Sequence, residues 1–468
     1  MDSLADASLS GDYLLASYYA ELEPSQDALA VARKFAVGQT VGTWLKVPGA
    51  EGEKMRRRTG RVANIREIPP MELSSPRRSE RAGRRRLIFD IEFPWENFGR
   101  SLSMLLTALL GMDASTSIRA KLIDLLIPKE YAALFPGPAF GEEGTRKALS
   151  AGRGVDNGGD FLILNMIKPC LGFSPEEGAA LFAEAAQGRP DLIKDDELLS
   201  NPSYCPIGER TRAYLEKAPG APYCPNVTAS EAEALKMARE AKKNGAAAVM
   251  VNFVFAGLDT VKSLASANLG LPLMVHYAGA GGWFESPYSG ICSTLLLGKL
   301  PRLAGADMIH LPSPYGSYPF SRERAVLAAA AQRLPWHHLK SSLPVLGGGL
   351  IPGQIPGILA DFGPSVMLAV GGAVQGHPDG PAAGVEAIRE AGLSAQRGEK
   401  LWQAAKRSPA LAAALKAWGP PEALEPDEAL EPDEPLESTE SLIPSKPSEP
   451  SGPFEPEPPS GGEPSQDG

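Results

Sequence analysis

Between about residue 158 and residue 395, short apolar runs recur every 20 to 40 positions. They fall at 161–167, 191–193, 223–227, 247–253, 271–275, 307–309, 343–346 and 366–370, eight in all. Stretches of helical character lie between them, among them 175–187, 230–244, 293–304, 322–333 and 381–391. Eight strand–helix alternations predict an α/β fold whose parallel strands close into a (β/α)8 TIM barrel. The chain before this region reads differently. Residues 13–19 and 86–93 are strand-like, a helix is expected from Ser25 through Asp27, Val31 and Phe35, and 102–110 reads as an apolar helix. The expected organisation is a smaller α+β N-terminal domain at 1–145, a catalytic barrel at 146–419 and a tail at 420–468.

The tail changes how the charge is read. Pro, Glu, Ser and Gly dominate it, with a near-repeat of Glu422-Ala423-Leu424-Glu425-Pro426-Asp427 at Glu428-Ala429-Leu430-Glu431-Pro432-Asp433. Such a segment buries too little apolar surface to offset its ordering entropy, so disorder is expected. From Glu422 onward there are 14 acidic residues against Lys446, which accounts for -13 of the net charge of -10 and leaves the body near +3. A near-neutral body does not suit a nucleic-acid partner. Arg56-Arg57-Arg58 and the arginines between Arg77 and Arg86 lack interleaved aromatics and read as solvated loops. No run of about 18 apolar residues predicts a membrane span. Cys170, Cys205, Cys224 and Cys292 form no C-x-x-C pair and read as reduced thiols of a cytoplasmic protein.

Chemistry is expected at the C-terminal strand ends, where barrel enzymes keep it. Those positions carry Lys168, Lys194-Asp195-Asp196-Glu197, Asn226, Asn252, His276, His310, Gly347-Gly348-Gly349 and Gly371-Gly372. Taken singly, each has a plain reading: a solvated charge run, a surface lysine, a core histidine, a turn. Taken together on one face, they describe a site. Oxygen-rich clusters suit Mg²⁺, and a cation on Asp196 and Glu197 would acidify a C–H beside a carbonyl. A lysine of depressed pKa would take the proton. Bare N–H groups of Gly348, Gly349, Gly371 and Gly372 would hold a phosphate. The expected reaction is metal-assisted enolisation of a phosphorylated ketone.

These motifs resemble the large subunit of ribulose bisphosphate carboxylase (RuBisCO) and RuBisCO-like proteins, from about Tyr13 to Trp418. Gly42-Thr43-Trp44 resembles a substrate-contacting motif, which implies that Thr43 and Trp44 bind substrate. Ile167-Lys168-Pro169 resembles the catalytic-lysine motif. The 191–197 segment resembles the metal motif, which implies Lys194, carbamylated by CO₂, with Asp196 and Glu197 as Mg²⁺ ligands. His276 and His310 match the two barrel histidines, and Gly376-His377-Pro378 is a further match. The resemblance implies a ferredoxin-like N-terminal domain. It also implies a homodimer whose active site joins one subunit's N-terminal domain to the other's barrel.

Departures from the carboxylase pattern narrow the activity. Ser317 stands where carboxylases carry a mobile-loop lysine, and Tyr277 where they carry an arginine for a second phosphate. Cys170 replaces the second lysine of the Lys-Pro-Lys motif, and Gly38 replaces a glutamate. Bisphosphate carboxylation is therefore not expected. Segments such as 120–125, 136–138, 296–300 and 312–317 are similar to 2,3-diketo-5-methylthiopentyl-1-phosphate enolases of methionine salvage. Arg119 stands where that branch has its lysine base, and arginine is a poor base, so Lys121 is the expected base. Alternatives from the same reading are an isomerase or decarboxylase of another sugar phosphate, and a non-catalytic relative docking through its acidic tail.

Overall fold

The computed structural model describes residues 11–42, 52–69, 83–150 and 159–419. Thr43, Trp44 and the tail at 420–468 lie outside them. The N-terminal part builds a sheet from β1 (Tyr13–Leu22), β2 (Arg61–Ile68), β3 (Arg85–Pro94) and β4 (Lys121–Leu126) in the order β4-β1-β3-β2, every neighbouring pair antiparallel. With helices Ala28–Gly38 and Leu102–Leu110 between the strands, this is the ferredoxin-like arrangement. Strand β1 alternates strictly at first, burying Leu14, Ala16, Tyr18 and Ala20 under the helices. Tyr18 packs edge-on against Phe35 at 4.9 Å, and its hydroxyl donates to the Leu109 carbonyl at 2.9 Å.

The first helix begins later than its sequence suggests. Asp27, not Ser25, is its N-cap, its carboxylate accepting from the Leu29 and Ala30 N–H groups. A carboxylate at this place meets both unpaired N–H groups and the positive end of the helix dipole. The arginines of this sheet are paired, Arg85 with Glu67 at 3.0 Å and Arg61 with Glu92 at 3.0 Å.

The second sheet has eight parallel strands: β5 (Leu162–Met166), β6 (Leu192–Lys194), β7 (Tyr223–Cys224), β8 (Val249–Asn252), β9 (Leu273–His276), and, after the short β10 (Gly290–Ile291), β11 (Met308–Pro312), β12 (Leu343–Gly347) and β13 (Met367–Val370). The order β7-β6-β5-β13-β12-β11-β9-β8 is closed between β7 and β8. There the Val227 N–H donates to Met250 O at 2.8 Å, and the Met250 N–H to Pro225 O at 2.9 Å. All eight apolar runs are thus strands of one barrel. Strand β10 leaves the barrel and adds in parallel to β4, so the loop after β9 ties the barrel to the N-terminal sheet.

Alternation along the strands divides inside from outside. Leu164, Met166, Leu192, Met250, Met274, Met308, Val345, Met367 and Ala369 fill the barrel interior. Residues of opposite parity, such as Ile163, Val251, Val275, Ile309 and Leu368, pack under the helices. Unbranched methionines suit this interior because they fill irregular gaps. Among the described residues no helix is long and apolar enough to cross a membrane, and all four cysteines are unpaired.

Candidate active site

The parity that fills the barrel also selects the site. In β6 Leu192 points inward, so Lys194 and Asp196 follow it inward, while Ile193 and Asp195 face outward. Asp195 is accordingly not a site residue. It is fully buried against the helix Ile207–Lys217, paired with Arg210 at 2.9 Å, and accepts from the Tyr223 hydroxyl at 2.5 Å and the Asn226 N–H at 3.0 Å. Of the three carboxylates in 194–197, two remain for chemistry.

Those two meet two lysines. Lys168, just past the end of β5, places Nζ 2.5 Å from Asp196 Oδ2. Lys194 is fully buried, donates to the Asp195 carbonyl at 2.9 Å and stands 3.6 Å from Glu197 Oε2. His276 Nε2 lies 3.6 Å from the same Glu197 oxygen. Its Nδ1 accepts from the Ala278 N–H at 3.2 Å, which leaves the proton of a neutral ring on Nε2, facing Glu197. The His276 and His310 rings lie 4.6 Å apart, and Tyr277 stacks on His276 at 4.9 Å. Asn226 and Asn252 act on the backbone, donating to the Glu197 carbonyl at 3.0 and 2.8 Å.

Burial and neighbouring charge set the protonation states. Burial, then the charge of Lys194, holds His276 far below the ordinary histidine range. His310 is lowered likewise by burial and by His276, so both rings are neutral. Both His310 nitrogens are buried without a hydrogen-bond partner while the side chain lines the cavity. Burial would lower Lys168, but its hydrogen bond to Asp196 and the negative charges of Asp196 and Glu197 together outweigh burial and hold it above the usual lysine range. Burial would raise Glu197, but the Lys194 charge and other favourable contacts prevail and it is lowered.

The inward-facing groups enclose a cavity of about 450 Å³, within the range of small-molecule sites. Lys168, Asp196, Glu197, His276, His310, Gly348, Gly349, Gly371 and Gly372 line it, joined by Tyr277, Ser317 and Tyr318. Gly348 and Gly349 have φ of 103° and 87°, the left-handed region open to glycine. Gly372 opens a one-turn helix, Gly372–Gln375, with nothing within 4 Å of where a Cβ would stand. Asn165 braces this turn, donating to Val370 O at 3.0 Å and accepting from Gln375 at 2.8 Å.

Lys121 is not among the cavity residues. It opens β4, and its ammonium is held by the carbonyls of Phe284 (2.8 Å) and Ser286. Burial, then the charge of Arg324, lowers its pKa below the usual lysine value. His377 is also outside the cavity, bonding Ala410 O at 2.9 Å and accepting from the Asp379 N–H. Its match to the motif reports a fold contact.

Against known proteins, the model of the ribulose bisphosphate carboxylase large chain, catalytic domain, matches residues 143–418. The chain belongs to this family. A RuBisCO-like protein of Archaeoglobus fulgidus is 39% identical over 396 residues, covering 83% of this chain and 88% of its own. The 2,3-diketo-5-methylthiopentyl-1-phosphate enolase of Geobacillus thermodenitrificans is 32% identical over 407 residues, 85% of this chain and 96% of its own. The crystal structure of a RuBisCO-like protein from Alicyclobacillus acidocaldarius superposes with a TM-score of 0.77 at 33% identity, covering 87% of this chain and all of that one.

The donor set also tests the expected metal. Among the described residues no three His, Cys, Asp or Glu side chains are placed to hold an ion. With Lys194 as an ammonium, the two lysines neutralise Asp196 and Glu197 and leave no charge for a divalent cation. A carbamate on Lys194 reverses its sign. Three negative groups against Lys168 then leave a net of -2, which a divalent cation balances. The residues fit the ion on that condition.

Proposed function

We propose that this RuBisCO-like protein enolises a phosphorylated diketone, 2,3-diketo-5-methylthiopentyl-1-phosphate being the best single substrate. The observation that carries the reading is the convergence of Lys168, Asp196 and Glu197 with two glycine turns in one cavity, with the buried Lys194 3.6 Å from Glu197. Likeness to proteins named as that enolase supports the substrate.

Lys194, as its carbamate, would hold Mg²⁺ with Asp196 and Glu197. Formation of the carbamate joins the Lys194 amine to CO₂ and releases a proton. When bound, the cation would supply Lewis-acid polarisation of a substrate carbonyl. The N–H groups of Gly348, Gly349, Gly371 and Gly372 take the phosphate. Lys168, protonated, donates to the oxygen on which negative charge develops. Lys121 takes the proton from the carbon beside a carbonyl, Lys168 gives its proton to that oxygen to complete the enol, and proton exchange with solvent resets both lysines. Thr43 and Trp44 contact the substrate. Because Lys121 is held away from its own cavity, the reading includes a homodimer in which each N-terminal sheet serves the partner's barrel.

The test is ultraviolet-monitored enol formation from 2,3-diketo-5-methylthiopentyl-1-phosphate, with Mg²⁺ and bicarbonate present or withheld. Turnover that needs both is expected. Mg²⁺ binding without turnover would instead assign the site to another phosphorylated substrate.

A further inference from the structure

The loop that follows β11 is fastened at several points to the segment that follows β12. Its backbone continues the strand pairing, Ser313 N–H donating to Gly347 O and Ser317 N–H to Gly348 O, both at 2.8 Å. In its middle, the Tyr315 hydroxyl donates to Asp361 Oδ2 at 2.7 Å. Asp361 lies on the helix Ile355–Phe362, and its carboxylate is also gripped by Arg322, through Nε at 2.6 Å and through Nη2. The Asp361 side chain is 4% exposed although Arg322 is mostly in solvent.

The packing leaves little slack. A Cβ on Gly316 would stand 2.0 Å from the Gly348 carbonyl oxygen, and one on Gly349 would stand 2.2 Å from Ser317 Oγ. A Cβ on Gly357 would meet the Tyr315 ring at 2.9 Å. Loop and glycine turn therefore form one wall, and Ser317 and Tyr318 reach the cavity from it.

We propose that Tyr315, Asp361 and Arg322 form a latch that keeps this loop closed over Gly348 and Gly349, with Tyr315 as its positioning residue. Ser317 and Tyr318 are then a fixed wall at the phosphate end, and affinity for a phosphate group depends on a hydroxyl that does not touch it. This rests on the cavity being the substrate site, but its test does not need turnover.

The experiment follows amide hydrogen exchange of residues 313–320 and 347–349 in the full chain, with and without inorganic phosphate. It compares the wild type with Tyr315→Phe and with Arg322→Gln. In the wild type, the Ser313 and Ser317 amides are protected, and phosphate further protects Gly348 and Gly349. Loss of one hydrogen bond to a carboxylate corresponds to an effect of about tenfold or more. Both variants should therefore exchange about that much faster at Ser317, and need about that much more phosphate for half-protection, with the barrel strands unchanged. Arg322→Gln alters an exposed side chain and covers the case in which Tyr315→Phe does not fold. Equal loop exchange and equal phosphate half-saturation in variant and wild type would overturn the latch. So would loop amides already unprotected in the wild type, or no protection of Gly348 and Gly349 by phosphate. Failure of the enol assay with these results intact would count against the substrate and not against the latch.

Discussion

Asp195 and Asp196 are neighbours with the same side chain, and the barrel gives them opposite tasks. Changing each to Asn separates the two. Asp195 and Arg210 are both fully buried. Removing one member of such a pair costs about 3–5 kcal/mol, because the other charge stays behind uncompensated. In Asp195→Asn the amide oxygen can keep the Tyr223 hydroxyl, but the new NH₂ faces the donors of Arg210 and Asn226. A loss of about 4 kcal/mol in folding stability is expected. Asp196 is paired with Lys168, whose side chain is 40% exposed. Screening there limits the cost of Asp196→Asn to below about 1 kcal/mol. Mg²⁺ binding should show the reverse order: retained by folded Asp195→Asn and abolished in Asp196→Asn. Urea unfolding monitored by tryptophan fluorescence, with calorimetric Mg²⁺ titration in bicarbonate, reads both. If Asp195→Asn lies within about 1 kcal/mol of wild type and loses the metal, the assignment of faces along β6 is refuted.

The remaining predictions concern the lysines. Lys194→Ala should lose Mg²⁺ binding and enol formation together, whereas Lys121→Ala should keep Mg²⁺ by calorimetry while its rate falls at least about 100-fold. A dimer that shares sites predicts complementation: when inactive Lys121→Ala and Lys194→Ala proteins are mixed and exchanged, half the dimers are mixed and carry one intact site. About a quarter of wild-type activity should return, and none should return if each chain completes its own site. A base must be unprotonated, so kcat/KM should rise with pH through the Lys121 pKa, with a midpoint below the free lysine value of about 10.4. Arg324→Gln removes a positive neighbour and should move that midpoint upward, slowing the enzyme at neutral pH. An unmoved midpoint would remove Lys121 or its coupling to Arg324 from the mechanism.

The barrel was legible because each strand is built on a short apolar run, the mark of strands buried on both faces, with polar residues mostly near the C-terminal ends. The N-terminal sheet was less so. Strand β2 is exposed along most of its length and β4 carries Lys121 and Asp124, so neither has an apolar run, and β10 is two residues long. These strands exist because neighbours pair with them, which local pattern does not encode. Within the site, Lys194, Asp196, Glu197 and the glycine turns were visible as strand-end residues. The supporting contacts were not. The Asn252 bond to the Glu197 carbonyl spans 55 positions, and Arg210 finds Asp195 across 15 positions and two elements. Parity could have separated Asp195 from Asp196, since Leu192 fixes which face is inward.

The base is proposed from the resemblance, as Lys121, and the groups that line the cavity can be weighed against that proposal. Two lysines are near the carboxylates. Lys168 is held protonated by Asp196 and can donate but not accept. Lys194 is committed as a metal ligand once carbamylated. The neutral histidines are next: His276 points its Nε2–H at Glu197, and the crowding of His310 against Lys194 and His276 opposes the positive charge it would gain by taking a proton. Among the described residues the cavity has acids, donors and a place for a cation, and no lysine or histidine that is both neutral-tending and free to take a proton. Lys121, the proposed base, has its pKa lowered by burial and then by the charge of Arg324, which favours the neutral amine. Its ammonium is held by carbonyls of the loop that begins at the cavity with Tyr277 and ends in β10 beside β4. The cavity and the proposed base are therefore joined through a single loop. The complementation experiment asks whether that base serves its own chain's barrel or the one across the dimer.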